Sequence, residues 1–160
     1  AWDKLLKLNV QGMFHLTQSL LPLLLKAASP EDPARVVNVG SVMGEVPKGT
    51  ATYSYAVSKG AVHHMTRVLS NDLAPEFITV NAIAPGPFPS KMTDFALGSE
   101  EGRAESAKGV PLGRVGTAED IAGALQFLCS RAGAYVSGAI LPLSGGMQSA
   151  APISIFNEDL

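Results

Sequence analysis

Three short apolar runs, each separated from the next by a segment with helical periodicity, constrain the fold of this sequence most strongly. The runs are RVVNVG at 35–40, ITVNAIA at 78–84 and AILPL at 139–143. A strand that is exposed on one face alternates apolar and polar residues, whereas unbroken apolar strands are typical of parallel sheets that are covered on both faces. The sequence therefore predicts an α/β protein in which helices flank a parallel sheet.

The helical segments carry recognisable start and stop signals. We predict helices over residues 2–28, from 53 to about 74, and from 117 to about 130. Pro22 is expected to kink the first helix, and Pro75 is expected to end the second. Thr117 is a favourable N-cap, because Asp120 follows it three positions later. The polar stretch 92–110 is expected to be a partly helical excursion.

Composition excludes several classes of partner. The chain has 160 residues, of which 46% are hydrophobic and 16% charged, below the average charged share of about 25%. The net charge of −2 gives no electrostatic reason to expect nucleic acid or an anionic membrane. The apolar run 20–25 is far too short to span a bilayer. The lone Cys129 cannot form an intrachain disulfide, so a reducing, cytoplasmic location is predicted.

Polar residues that follow the predicted strands mark the candidate site. In open parallel sheets the functional crevice lies at the C-terminal ends of the strands. Ser41 directly follows the first strand, and Tyr55 and Lys59 lie at the start of the next helix. Residues four apart on a helix share one face. Ser41, Tyr55 and Lys59 are therefore expected near one another, although Ser41 alone is more simply explained as a turn-capping residue.

This residue combination suits proton transfer. A free tyrosine has a pKa of about 10, and a neighbouring ammonium group favours its phenolate form. Lys59 is placed to supply that ammonium. The hydroxyl of Ser41 could hold a substrate carbonyl while Tyr55 gives it a proton, which is general acid catalysis on an oriented substrate.

Several segments in order resemble the short-chain dehydrogenase/reductase family. Tyr55-x-x-x-Lys59, preceded by Ser41 at a strand end, is similar to the family's active-site signature. The resemblance extends over residues 1–147 and rests also on these segments: KLNVQGMF at 7–14, VNAIAPGPFPSKMT at 80–93, PLGRVGTAEDIAGALQFLCS at 111–130 and YVSGAILPLSGG at 135–146. It leans toward 3-oxoacyl-carrier-protein reductases, in particular those similar to rhamnolipid-pathway reductases. It implies the C-terminal part of a Rossmann-like, doubly wound parallel sheet, with about three strands, followed by a tail at 148–160.

The resemblance also implies roles for individual residues. Tyr55 is the acid–base residue; Lys59 favours its phenolate and hydrogen-bonds the nicotinamide ribose. Ser41 polarises the substrate carbonyl, and Asn9 holds a water that links Lys59 to solvent. The residues implied to line the nicotinamide are Pro85, Gly86, Phe88 and Ser90. Without the resemblance, Asn9 would be interpreted as a polar residue on a solvated side of the helix. Phe88 could equally well be a residue that only packs in the core.

One expected part of the family pattern is missing from this sequence. The family opens with a strand and a Gly-rich turn that holds the pyrophosphate of the cofactor, and no such turn occurs here. The choice between NAD and NADP is therefore not readable, and the resemblance slightly favours NADP. The expected substrate is a small carbonyl or alcohol compound. Ser144 stands where many members have Asp before two glycines, a change that nothing in the sequence explains.

Two function classes remain open from the sequence. The first is an oxidoreductase, or a fragment of one, that transfers hydride between a nicotinamide cofactor and a carbonyl or alcohol, with a 3-oxoacyl thioester as one candidate substrate. The second is a non-catalytic chain that serves as an assembly piece. In the family, the helices that correspond to 2–28 and 53–74 form a dimer interface, so a homo-oligomer is predicted in either case.

No metal site is predicted. His63 and His64 are adjacent, so their side chains point to different sides of a helix. No cysteine or carboxylate stands near them at the spacing of a metal-ligand motif. Both are predicted to be solvated or packing residues.

Overall fold

A three-stranded parallel sheet organises the chain. The computed structural model describes residues 2–47 and 52–149. The strands are β1 (Ala34–Val39), β2 (Ile78–Pro85) and β3 (Ile140–Leu143), and they pair in the order β1-β2-β3. Both pairings are parallel, with Ala34 opposite Ile78 and Ala82 opposite Ile140. The predicted α/β architecture with flanking helices is confirmed, and the three strands agree with the sequence prediction to within one residue at each end.

The helices follow the predicted segments closely. The first segment consists of α1 (Trp2–Leu6), a π-helical turn (Lys7–Gln11) and α2 (Gly12–Ala27). The later helices are α3 (Tyr53–Leu73), α4 (Asp94–Leu97), α5 (Glu100–Ala107) and α6 (Ala118–Cys129). Short 3₁₀ turns at Val42–Gly44, Ala74–Glu76 and Arg131–Gly133 complete the described elements.

The first helical segment departs from the prediction in one respect. Pro22 lies inside α2, which continues as α-helix to Ala27. The irregular turn lies instead at Lys7–Gln11, where the backbone adopts the wider π-helical pairing. Single π turns inside helices are rare and occur frequently at functional sites. This turn carries Asn9.

The core lies between one face of the sheet and the helices α2 and α3. Ala34, Ile78 and Val80 are buried, and Leu21 and Leu69 pack against them. All but the last residue of β2 are buried, as expected for the central strand of a parallel sheet. Helix α6 contacts β1 as well.

Buried amides join the strands to their neighbours. Asn38 on β1 donates from Nδ2 to the Thr66 hydroxyl of α3 at 2.9 Å. Asn81 on β2 donates from Nδ2 to the Val136 carbonyl at 2.8 Å and accepts from the Ala139 N–H at 3.0 Å. Buried polar groups cost free energy unless they are hydrogen-bonded. These bonds therefore fix α3 against β1, and the segment that leads into β3 against β2.

The three strands end at the same edge of the sheet, and the first residue after β1 and after β2 still hydrogen-bonds to the neighbouring strand. Gly40 donates to the Ile83 carbonyl at 2.8 Å, and Gly86 donates to the Leu143 carbonyl at 2.9 Å. The residues that follow β1, β2 and β3 thus lie side by side. Within the described residues β1 pairs only with β2, so its other edge is open. The predicted tail lies outside the described residues from 150 onward.

Candidate active site

Ser41 lies where β1 leaves the sheet. Its backbone is extended, and its side chain accepts a hydrogen bond from the Met43 N–H at 3.2 Å, which caps the short turn at Val42–Gly44. The residue is 6% exposed. The turn-capping interpretation of Ser41 is thereby confirmed. It does not conflict with a role in the site, because the capping bond uses one acceptor lone pair of the hydroxyl and leaves its proton available.

Tyr55 and Lys59 lie one turn apart at the start of α3. Lys59 Nζ is 5.7 Å from the centroid of the Tyr55 ring, within the range of a cation–π contact. Lys59 Nζ also donates to the Val39 carbonyl at 2.8 Å, which ties α3 to the last residue of β1. An ammonium group has three N–H donors. The bond to Val39 therefore leaves donors of Lys59 available to a ligand.

Lys59 is buried at this edge of the sheet, with 9% of its surface exposed. Burial lowers the pKa of its ammonium group below the ordinary value of 10.5, because the charged form is less well solvated there. A cation held beside a phenol in a partly dry environment interacts more strongly than one in water.

Asn9 reaches the same helix from the π turn. Its Nδ2 donates to the Ser58 hydroxyl at 3.0 Å, and that hydroxyl donates to the Tyr55 carbonyl at 2.7 Å. Asn9 is half-buried and is bonded across 49 positions of the chain, so the interpretation as a polar residue on a solvated side is wrong. Its implied role toward a water beside Lys59 stays a prediction.

The residues after β2 form the loop that the resemblance assigns to the nicotinamide. Pro85, Gly86 and Phe88 are half-buried. A Cβ on Gly86 would lie 3.0 Å from Ser144 Cα, so a side chain at this position would force the two loops slightly apart. Ser90 is exposed, and its N–H donates to the Thr93 hydroxyl at 2.9 Å while that hydroxyl donates to the Phe88 carbonyl at 2.7 Å.

Phe88 packs against the backbone at Gly116. A Cβ on Gly116 would lie 2.7 Å from Phe88 Cδ1, so the ring occupies space that only glycine leaves free. Phe88 also lines a pocket of about 230 Å³, together with Leu112, Pro142 and Ser144. The packing interpretation of Phe88 is therefore supported, and its role in lining the nicotinamide stays a prediction. Ser41, Tyr55 and Lys59 do not line this pocket.

An ion pair closes one side of that pocket. Arg114 donates to both carboxylate oxygens of Asp120, at 2.6 and 2.9 Å, and the Thr117 N–H donates to Asp120 at 2.8 Å. These bonds hold the pKa of the Asp120 carboxyl well below its ordinary range. The predicted N-terminal capping of α6 by Thr117 and Asp120 is confirmed, and Arg114 adds a bidentate contact.

Sequence reasoning missed the contacts that two residues, Ser58 and His63, make next to the site. Ser58 joins Asn9 to the backbone of Tyr55, and only its position directly before Lys59 distinguishes it. His63, one turn after Lys59, is 2% exposed, and its Nε2 accepts from the Ser41 N–H at 3.4 Å. The spacing of four residues between Lys59 and His63 could have indicated this contact, because residues four apart lie on the same face of α3.

A parallel α/β sheet with a serine at one strand end, beside a tyrosine and lysine one turn apart on the next helix, is the arrangement of short-chain dehydrogenases/reductases. The chain belongs to this family. The family profile described as enoyl-(acyl carrier protein) reductase matches residues 1–148.

Two curated relatives give the level of similarity. The rhamnolipids biosynthesis 3-oxoacyl-[acyl-carrier-protein] reductase of Pseudomonas aeruginosa is 43% identical over 146 residues, which are 91% of this chain and 57% of that protein. The 3-oxoacyl-[acyl-carrier-protein] reductase FabG of Aquifex aeolicus is 35% identical over 91% of this chain and 56% of its own length. The chain thus spans a little over half the length of these relatives.

Solved structures agree with this placement. The Pseudomonas aeruginosa RhlG/NADP active-site complex superposes with a TM-score of 0.88 at 42% identity, over 92% of this chain and 59% of that one. A gluconate 5-dehydrogenase from Burkholderia cenocepacia, in complex with NADP and tartrate, gives a TM-score of 0.83 at 29% identity, over 94% and 57%. The Rossmann-like fold expected from the sequence is confirmed.

No helix among residues 2–47 and 52–149 combines the length and the hydropathy that crossing a bilayer would require. In the same part of the chain, no cluster of three or more His, Cys, Asp or Glu side chains is arranged to hold a metal ion.

Proposed function

We propose that this chain carries the proton-transfer and nicotinamide end of an NADP-dependent oxidoreductase that interconverts a carbonyl and an alcohol. The observation that carries the proposal is the convergence of Ser41, Tyr55 and Lys59 on one edge of the sheet. Ser41 is placed there by the end of β1, and Lys59 is tied to the same strand end through the Val39 carbonyl at 2.8 Å. Family membership and the arrangement of these side chains support the same chemistry.

Each of the three side chains has a distinct part in the proposed reaction. The Ser41 hydroxyl donates to the carbonyl oxygen of the substrate and orients it. Tyr55 gives its phenolic proton to that oxygen as the oxygen becomes an alcohol, and takes the proton back in the reverse direction. Lys59 stabilises the phenolate through its positive charge. Asn9, through Ser58, holds the first turn of α3 and thereby the position of Tyr55.

The residues present fit the nicotinamide half of a dinucleotide. Lys59 keeps donors beyond the one that Val39 accepts, which suits the hydroxyls of a ribose. The loop of Pro85, Gly86 and Ser90 leaves the neighbouring strand end and is only partly covered. When bound, the cofactor supplies the hydride. The NADP complexes among the similar structures favour NADP over NAD.

The substrate class that we favour is a 3-oxoacyl thioester. The two curated relatives reported above are named as reductases of such compounds, whereas one similar structure is a gluconate 5-dehydrogenase. The chain that follows the nicotinamide loop exposes apolar side chains, Met92 at 66% and Phe95 at 92%. Exposed apolar side chains on the segment that continues this loop suit an acyl chain better than a polar sugar acid.

A chimeric enzyme tests the proposal. The N-terminal portion of the Pseudomonas aeruginosa relative, joined ahead of Trp2, supplies a Gly-rich turn, which holds a pyrophosphate through backbone N–H groups at a helix N-terminus. We expect the chimera to oxidise NADPH with a 3-oxoacyl thioester and to prefer this substrate to a keto sugar acid. A folded chimera that binds NADPH but reduces neither substrate would contradict the proposal.

The 160-residue chain itself is the matched comparison. It contains no Gly-rich turn of the pyrophosphate-binding kind, so we expect it to bind NADPH and NADH weakly and to show little turnover. Titration followed by nucleotide fluorescence measures this. Saturation at low micromolar nucleotide would show that the nicotinamide end suffices and that the pyrophosphate argument is wrong.

A second candidate function is that of an assembly piece. Leu8, Leu16 and Leu23 on the first helical segment are 67%, 61% and 64% exposed. Contiguous exposed apolar side chains mark interaction surfaces. The assembly role and the enzymatic role are compatible, because Ser41, Tyr55 and Lys59 lie at the strand ends and these leucines do not.

A further inference from the structure

His63 occupies a slot that two glycines leave open beside the site. A Cβ on Gly40 would lie 2.6 Å from His63 Cδ2, and a Cβ on Gly44 would lie 2.8 Å from His63 Cε1. The imidazole is therefore enclosed by the two ends of the segment that contains Ser41. Because protein interiors are close-packed, the position of this ring and the path of residues 40–44 determine each other.

The polar contact of the ring is with the backbone of Ser41. His63 Nε2 lies 3.4 Å from the Ser41 nitrogen and accepts its N–H. An imidazole nitrogen that accepts carries no proton, so the proton of the neutral ring is on Nδ1. Nδ1 faces Glu45 Oε1 at 3.7 Å, and within the described residues it has no hydrogen-bond partner.

Burial and three charged groups influence the pKa of His63. Burial is the largest influence and lowers the pKa of His63 below 6.5; Arg67 and Lys59 lower it further, and Glu45 raises it. The neutral ring is therefore the form that prevails at neutral pH.

We propose that His63 is a positioning residue whose neutral imidazole holds the Ser41 backbone and so aims the Ser41 hydroxyl at the substrate carbonyl. This inference rests on the role proposed above for Ser41. Protonation places a second N–H against the Ser41 N–H, so the two donors face each other and the accepting contact is lost. The Ser41 segment then shifts, because the slot between Gly40 and Gly44 leaves the ring no other place.

Solution NMR of the ¹⁵N-labelled 160-residue chain tests the contact without any need for turnover. We expect the Ser41 amide resonance to shift with pH along the titration of the His63 ring, with a midpoint below 6.5, and the ring to show the Nδ1-protonated tautomer. His63→Gln, which keeps an acceptor near the Nε2 position, should retain slow exchange of the Ser41 amide. His63→Leu, which fills similar space without an acceptor, should exchange about tenfold faster or more.

His64→Gln is the matched control, because His64 is exposed on the same helix and should leave the Ser41 amide unchanged. If His63→Leu does not fold, the tautomer and the pH titration of the unaltered chain decide. A Ser41 amide that ignores the ring titration, or a ring protonated on Nε2 at neutral pH, would overturn the inference.

The chimeric enzyme adds a catalytic measurement. We expect His63→Leu to lower kcat on the order of tenfold or more with the KM for NADPH little changed, and His63→Gln to recover most of the loss. A chimera that is inactive with every variant would contradict the proposed function alone, because the NMR result stands independently. Equal kcat for His63→Leu and the unaltered chimera would overturn the positioning role.

Discussion

Asn9 on the π turn and Ser58 on α3 are joined by a 3.0 Å hydrogen bond between Asn9 Nδ2 and Ser58 Oγ. The Ser58 hydroxyl in turn donates to the Tyr55 carbonyl at 2.7 Å. Two helical segments 49 positions apart in sequence are thereby connected at the turn that carries Tyr55. We expect a double-mutant cycle of Asn9→Ala and Ser58→Ala, measured by urea unfolding, to give a coupling free energy of about 1 kcal/mol.

The control for this cycle pairs Asn9→Ala with Ser70→Ala. Ser70 lies on the same helix, and its hydroxyl donates to the Arg67 carbonyl of that helix at 2.8 Å. Its substitution should therefore add independently of Asn9. Equal coupling in both cycles would show that the Asn9–Ser58 bond contributes nothing specific.

The buried ammonium group of Lys59 predicts a pH dependence of stability. Its pKa is lowered by burial from 10.5. Between the folded-state pKa and 10.5 the unfolded chain binds more protons than the folded chain, so the free energy of unfolding rises with pH in that window. Lys59→Met removes this contribution. We expect its free energy of unfolding to rise less with pH than that of the unaltered chain, as measured by urea unfolding at a series of pH values.

Lys91→Met serves as the comparison for the pH series, because Lys91 is exposed. It should leave the slope of the free energy of unfolding against pH as it is in the unaltered chain. If Lys59→Met and Lys91→Met give the same slope, Lys59 is not buried as a charged group in solution.

The contact between Phe88 and Gly116 predicts that one added methyl group at position 116 changes the free energy of unfolding strongly. A Cβ at position 116 would lie 2.7 Å from Phe88 Cδ1, so Gly116→Ala should lower the free energy of unfolding by roughly 1–3 kcal/mol through overpacking. Gly123→Ala on α6 meets nothing within 4 Å and should instead raise it by roughly 0.5–1 kcal/mol. Two variants with equal effects would contradict the packing of the Phe88 ring.

Much of the fold could be predicted from the sequence because each level of the pattern points to the same architecture. The largely apolar run of β2 indicates a buried strand of a parallel sheet, and Thr117 with Asp120 marks the start of α6. These signals depend on residues close in sequence. The π turn at Lys7–Gln11 could not be predicted. Gly12 closes it by donating its N–H to the Lys7 carbonyl, but a single glycine in a helical pattern does not by itself report a change of hydrogen-bond register, and Pro22 suggested a distortion elsewhere.

The site was predictable only in part, because sequence patterns report neighbours along the chain and not contacts between distant segments. Ser41, Tyr55 and Lys59 follow from strand ends and helical spacing, which local sequence determines. The partners Ser58 and Asn9 meet only when α3 packs against the π turn. The place of His63 depends on the space that Gly40 and Gly44 leave free, and no local pattern reports that a glycine makes room for a distant ring.

The exposed leucines of the first helical segment predict self-association. Leu16 is 61% exposed on α2, and covering such side chains in an interface is favourable. We expect the unaltered chain to sediment as an oligomer and Leu16→Asp to shift it toward the monomer. Phe95→Asp is the control, because Phe95 is 92% exposed on α4, outside the proposed interface. Association that persists unchanged in Leu16→Asp would place the interface elsewhere.

The turnover of Tyr55→Phe in the chimeric enzyme tests the central claim most directly. Tyr53→Phe is the matched control, because Tyr53 lies two positions earlier on α3 and is 74% exposed. With saturating NADPH and 3-oxoacyl thioester, we expect Tyr55→Phe to lower kcat on the order of 10²-fold or more, since the general acid is removed, and Tyr53→Phe to keep the kcat of the unaltered chimera. A Tyr55→Phe variant that turns over as fast as Tyr53→Phe would contradict the assignment of Tyr55 as the proton donor.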